Sequence, residues 1–224
     1  MAVILLIRHG ENGLVASRMA GRLPGVNLNE KGRAQAEELA QRLKGLPIRA
    51  IYSSPLERAV ETAEYLAGSR GLKIQTRDGL NEIDVGAWQD QKIDGLNKTD
   101  EWRMFQIYPS GARPPGGESG RQMQMRVVCE AEAICAEHPE GNVAIVSHAD
   151  TIKAIMAHYA GIHLDLFQRL IISPASVSVI WLGPWGPRVI RFNDAGPLDE
   201  IKSPAEQHKP KESDQGKKEG ENAG

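Results

Sequence analysis

Aliphatic runs and helical periodicities alternate along the chain. Ala2 to Ile7 is an unbroken apolar run that ends in Arg8-His9-Gly10-Glu11. A run this short and this continuous predicts a strand buried on both faces of a parallel sheet. The glycine-rich segment from Gly10 to Gly25, with Pro24, predicts a loop. Asn29 is placed to cap a helix from about Glu30 to Lys44. On it Ala36, Leu39, Ala40 and Leu43 fall at i, i+3, i+4 and i+7, and Gly45 is set to stop it. A short strand is expected over Ile48 to Tyr52. Ser54, Pro55 and Glu57 have the spacing of a capping box and predict a helix to about Ala67. A further strand is expected at Lys73 to Thr76.

The second half repeats the scheme. Gln89 to Glu118 is polar and rich in Pro and Gly, with Trp102, Phe105 and Tyr108 interleaved. It predicts a partly helical insertion over the sheet, of the kind that shapes a substrate pocket. Ser119 is the expected cap of a helix over Gly120 to Glu137. Asn142 to Ser147 is again an aliphatic run, and it ends in His148. Asp150 or Thr151 is the expected cap of the next helix, to about Ala160. Val177 to Leu182 and Val189 to Phe192 flank Gly183-Pro184-Trp185-Gly186-Pro187 and predict a strand pair. From about Asp194 the apolar residues give out. Residues 194–224 are expected to be a disordered polar tail, leaving 1–193 as the folded domain.

The 224 residues suffice for one good-sized core with a tail. A formal net charge of -2 leaves no basic footprint for nucleic acid, so any anion site must be local. Cys129 and Cys135 lie too far apart around one helix for a disulfide framework and read as free thiols. No apolar run reaches bilayer length, and no basic leader precedes the first one. The expectation is a cytoplasmic protein with no nucleic acid and no membrane partner.

The chemistry-bearing residues gather where strands should end, which in open α/β sheets is where ligands bind. Arg8 offers a fork of donors for phosphate or carboxylate, and His9 an imidazole able to act as nucleophile, base or ligand. Arg18 and Arg22 in the following loop are further candidates to face an anion. Arg58 falls in the first turn of its helix, where the dipole disfavours a cation. It needs a partner: a bound anion, or Glu57 or Glu61. Glu82 and Asp84 form an acidic pair, and a carboxyl against an apolar wall is suited to general acid work. His148 delivers a second imidazole at a second strand end. A metal set drawn from His148, Asp150, His158 and His163 is disfavoured, because His158 sits well along the helix.

The motifs LIRHGE at 6–11, LNEKGRAQA at 28–36, SSPLERAVETA at 53–63, LNEIDVGAW at 80–88, PGGES at 115–119 and VSHADTIKAIMAHYAG at 146–161 occur in one order. Together the chain resembles the histidine phosphatase superfamily, the phosphoglycerate mutase-like proteins, over roughly residues 3 to 182. The resemblance implies a single three-layer α/β domain, a mostly parallel central sheet with helices on both faces. It implies His9 as the phosphoryl-accepting nucleophile, Arg8, Arg58 and His148 as phosphate-binding partners, and Glu82 as the acid/base. Arg22 joins the expected phosphate-binding set. The implied partner is a small phosphorylated metabolite, with no cofactor and no metal, and homodimerisation stays open. Some positions depart from the family pattern: Asn12, Val15, Gln89, and Ala149-Asp150 in place of a common Gly pair. Glu82-Ile83-Asp84-Val85-Gly86 also replaces the mutase branch's Glu-Arg-His-Tyr-Gly. A phosphatase is therefore the first expectation, a mutase or a non-catalytic phospho-ligand binder the alternatives.

Overall fold

The strand β1 (Ala2–Arg8) lies inside a six-stranded sheet with parallel β4 (Gly141–Ser147) on one side and antiparallel β5 (Val177–Gly183) on the other. The computed structural model describes residues 2–15, 17–68 and 70–196. With β2 (Ile48–Ser53), β3 (Ile74–Thr76) and β6 (Gly186–Asp194), the order is β3-β2-β4-β1-β5-β6. β3, β2, β4 and β1 are parallel; β5 and β6 form an antiparallel hairpin. The sheet is thus mostly parallel, as expected.

Successive residues of β1 feed opposite faces. Ile4 and Leu6 join Val143, Ile145 and Ile180 beneath α5 (Gly120–Glu137) and α6 (Ala149–Ala160). Leu5 and Ile7 join Ile51, Ala144 and Val146 beneath α1 (Glu30–Arg42) and α2 (Glu57–Gly68). The continuous aliphatic run therefore serves two cores at once, each fully buried side chain contributing about 1.5–3 kcal/mol. The 89–118 segment carries two short helices, α3 (Ile93–Leu96) and α4 (Asp100–Ile107). Trp88, Trp102 and Phe105 from this region pack edge to face on the α5/α6 side.

Local signals held where nothing competed for the capping group. Asn29 caps α1 by accepting from Gly32 N, and Ser119 and Gln122 form the capping box of α5. Three expectations are corrected. α1 ends at Arg42, with Leu43 rather than Gly45 at its cap. α2 begins at Glu57: the Ser54 hydroxyl accepts from Leu56 N at 3.3 Å while also meeting His148 and Asn81, and the capping box does not close because the Glu57 carboxylate accepts from Gly25 N at 3.0 Å. α6 starts directly after His148, with neither Asp150 nor Thr151 as cap. The expected tail falls, from residue 197 onward, outside the described residues; Asp194 still belongs to β6.

Where β1 gives way to the first loop, the backbone passes close to the start of α1. A Cβ on Gly32 would overlap the Glu11 carbonyl oxygen, and one on Gly10 the Gly32 carbonyl oxygen. Gly32→Ala is expected to cost about 1–3 kcal/mol, as overpacking does, and to lower the melting temperature by several degrees. An unchanged melting temperature would show that this approach can open without loss.

Candidate active site

The register Arg8↔Ser147 aligns the carboxyl ends of β1 and β4, so the residues that follow, His9 and His148, stand side by side. Their rings meet edge to face at 5.1 Å. β2 continues the same row: Ser54 N donates to the Val146 carbonyl at 2.9 Å, and α2 then rises with Arg58 in its first turn. Three neighbouring strand ends thus deliver two imidazoles and two guanidinium groups to one place.

The hydrogen bonds fix the state of His9. Its Nδ1 lies 2.6 Å from the Gly10 carbonyl oxygen, which can only accept, so Nδ1 carries the proton. Nε2 is left with its lone pair and receives a hydrogen bond from Arg58 Nε at 3.3 Å. Burial, then Arg8 and Arg58, hold the imidazole well below its ordinary pKa of 6.5, so it is a neutral base at neutral pH. Gly10 is itself anchored, its N–H donating to Thr62 Oγ1 at 3.0 Å.

Arg58 is 1% exposed. Its Nη2 donates to the Gly21 carbonyl at 2.8 Å, and Nη1 has no partner. Glu57 and Glu61 turn their carboxylates to the N–H groups of Gly25 and Leu28, so neither forms the salt bridge left open by the sequence. Arg8 uses Nη1 on the Ile172 carbonyl at 2.6 Å and leaves Nε without a partner. His148 sets Nε2 against Ser54 Oγ at 2.8 Å, and Ser54 passes its own proton to Asn81 Oδ1. His148 Nδ1 is unpartnered, and burial followed by Arg58, His9 and Arg8 lowers its pKa well below 6.5. Buried polar atoms without partners are rare and costly. Here three of them, on Arg8, Arg58 and His148, belong to residues grouped around one imidazole lone pair. The guanidinium nitrogens of Arg8 and Arg58 suit an oxyanion with several acceptor oxygens, and His148 Nδ1, which is a lone pair while Nε2 donates to Ser54, joins them as a donor when the imidazole takes up a proton beside that charge.

Glu82 completes the group. Its Oε1 accepts from Ile83 N at 2.9 Å and lies 3.1 Å from Thr151 Oγ1. Removal from water, with the nearby Asp150 charge, raises its pKa above the ordinary 4.5, against Ile83 N–H, Arg58 and Thr151. The loop that presents it is clamped from behind. Arg126 on α5 donates to the carbonyls of Gly79 (2.8 Å), Asn81 (2.9 Å) and Glu82 (3.4 Å), and pairs with Glu118. Arg22 donates to the Glu82 carbonyl at 2.8 Å and to Glu118 Oε1 at 2.8 Å.

Arg8, His9, Arg58, Glu82 and His148 are therefore brought together, while Arg22 stands behind Glu82 as part of its clamp. Arg18 is turned away to Asp90 at 2.6 Å. Asp84 accepts from Gly86 N in a turn and lies 3.9 Å from Arg22. Glu118, Arg126 and Thr151 were not singled out as site residues by sequence reasoning. Glu118 had a signal, its place in PGGES; Arg126 had none, being one more cation on a helix. His158 and His163 lie along and beyond α6. Among the described residues no three His, Cys, Asp or Glu side chains converge as metal ligands, and no helix is long and apolar enough to cross a membrane.

Comparison with known proteins agrees with this geometry. The chain is 33% identical over 183 residues to a probable phosphoglycerate mutase, GpmB, of Salmonella choleraesuis, covering 80% of this chain and 85% of that one. The structure of Bacillus stearothermophilus YhfR superposes with a TM-score of 0.82 at 31% identity, covering 87% of this chain and 98% of the other. A mycobacterial glucosyl-3-phosphoglycerate phosphatase, solved with VO3, gives 0.78 at 28% identity, over 86% and 98% of the two chains. Residues 4–195 match the family model of the histidine phosphatase superfamily, branch 1, and the chain belongs to that superfamily.

Proposed function

We propose that this protein is a phosphomonoesterase that hydrolyses a small phosphorylated metabolite through a phosphohistidine on His9. The observation that carries the reading is the ring of buried groups beside His9: Arg8 and Arg58, each with an unpartnered guanidinium nitrogen, and His148, next to a His9 Nε2 that keeps its lone pair. Phosphoryl transfer is mainly positioning and charge stabilisation, and these groups supply both. Nε2 attacks phosphorus in line. As the bond to the substrate oxygen breaks, the Glu82 carboxyl gives that oxygen its proton, releasing an alcohol. Glu82, now a carboxylate, takes a proton from water as its oxygen attacks phosphorus. The N–P bond breaks, phosphate forms, and His9 and protonated Glu82 are restored.

Asp150 favours water over a second phosphorylated acid as acceptor. Its charge acts on both Arg8 and Glu82, and it opposes another anionic group beside the phosphate. The name of the Salmonella relative favours a mutase as the second reading. A panel of phosphomonoesters assayed for phosphate release, beside an assay for interconversion of phosphoglycerates, decides between them. Phosphate release with no interconversion is expected; efficient interconversion with slow release would make the protein a mutase.

The same ring predicts binding in solution. Inorganic phosphate or vanadate is expected to raise the melting temperature, by mass action on the folded state. Arg58→Met is expected to lose that rise. Equal rises in both proteins would remove Arg58 from the anion site.

A further inference from the structure

Thr151, on the first turn of α6, has one hydroxyl proton and two acceptors. Its Oγ1 lies 3.1 Å from the Asn81 carbonyl oxygen and 3.1 Å from Glu82 Oε1. A hydroxyl donates once, so both contacts cannot be donations from Thr151 at the same moment. When Glu82 is ionised, the proton turns to Oε1, and the Asn81 carbonyl keeps its bond from Arg126 Nη1. When Glu82 carries a proton, the hydroxyl turns to Asn81 and accepts from the carboxyl. Thr151 is fully buried, so bulk water does not take either place. Both protonation states then have partners without any heavy atom moving.

Asp150, one residue earlier, supplies the opposing charge. Its carboxylate is held by Lys153 Nζ at 3.1 Å, and Lys153 is held in turn by Gln168 at 2.9 Å. Burial and Asp150 favour the protonated form of Glu82, and its other charged and hydrogen-bonding neighbours favour the ionised one. Arg8 faces it from β1 and Arg58 from α2; Arg22 and Arg126 bond its backbone carbonyl. The Ile83 N–H bonds its carboxyl, and the N-terminus of α6 adds the positive end of a helix dipole. Two further acids lie near: Asp84 is engaged with Gly86 N and Arg22, and Glu118 with Arg22, Arg126 and the Asp84 N–H.

We propose that Asp150 and Thr151 are a positioning pair that lets Glu82 give up and regain its proton in place. Thr151 is a hydroxyl rotor that serves both states, and Asp150 is a counter-charge that adds to burial in favouring the protonated state. The proposal rests on the acid/base reading of Glu82.

The two substitutions are expected to act in opposite directions. The alkaline limb of kcat/KM for an alkyl phosphate reports loss of the Glu82 proton. Asp150→Asn removes a negative neighbour, so that limb moves to lower pH. Thr151→Val removes a donor to the ionised form, so the limb moves to higher pH, and kcat falls about tenfold, the scale of a lost hydrogen bond to a charged group, with little change in KM. Thr151→Ser keeps the hydroxyl and should match the wild type. Glu82→Gln, run alongside, should abolish the limb. If it does, and the Asp150 and Thr151 variants leave the limb in place or move it the same way, the proposal is wrong while Glu82 keeps its role. If the limb survives in Glu82→Gln, the acid/base reading fails and the proposal with it. Should Thr151→Val not fold, the downward shift in Asp150→Asn is still required.

Discussion

Replacing His9 by Ala is expected to lower turnover by about 10⁵- to 10⁶-fold, the scale seen when a covalent nucleophile is removed. His9 presents an imidazole nitrogen whose lone pair is directed by the Gly10 carbonyl on the other side of the ring, amid the unpartnered nitrogens. His148 is held differently: its Nε2 carries the proton and donates it to Ser54, so that nitrogen has no lone pair with which to attack. Arg8, Arg58 and His148 remain in the variant, so it should still bind phosphate or vanadate and still gain thermal stability from them. Loss of both turnover and binding would instead mean that the substitution had collapsed the site. Retention of a near wild-type rate would remove His9 from the chemistry.

Glu82→Gln is expected to slow alkyl phosphates by about 10²- to 10⁴-fold, the usual worth of general acid–base help. Gln keeps the length of the side chain and an oxygen for the Ile83 N–H and Thr151. What it lacks is a proton to give to a poor leaving group. An activated aryl phosphate departs with little protonation, so its first step should suffer less. Water still needs a base, so the phosphoenzyme should accumulate in the variant. The pH dependence follows from the same groups. His9 must be neutral, and its pKa is held well below 6.5, so the acid limb of kcat/KM lies on the low side of 6.5. Glu82 must be protonated, and its pKa is raised above 4.5, so activity towards alkyl phosphates falls as pH climbs past that raised value. The optimum for such substrates should therefore lie between the lowered value of His9 and the raised value of Glu82. Equal losses for both leaving groups, with no phosphoenzyme, would move the acid/base role away from Glu82.

The sheet and the strand ends were legible because their signals are long and local. Residues 2–7 and 143–146 are aliphatic throughout, and each run has a histidine two residues beyond its end. Adjacency of the two strands, set by the β1–β4 register, then turns two separate histidines into a pair. The glycines at 10 and 32 belong to motifs but gave no sign that they touch; that contact is between segments. Ser54 was misread for the same reason. Its spacing from Pro55 and Glu57 suits a capping box, and its hydroxyl does accept from Leu56 N, but Glu57 turns to Gly25 and the same hydroxyl also meets His148 and Asn81 across the sheet. Arg22 and Arg18 read as candidates to face an anion, and each is bound to an acid far along the chain, Glu118 and Asp90. Arg126 looks like an ordinary helical cation and in fact holds three carbonyls of the Glu82 loop. The candidate reacting residues left a local pattern; residues that hold them in position are defined by partners distant in sequence.

Rapid-quench labelling tests the covalent role of His9 most directly. The protein is mixed with a phosphomonoester carrying labelled phosphorus and stopped in alkali within a single turnover, and the labelled peptide is then mapped. The expected result is an acid-labile, alkali-stable phosphoramidate on His9, formed at least as fast as phosphate is released and absent from His9→Ala. Phosphate release with no labelled protein at any time, or a label on a residue other than His9, would contradict it.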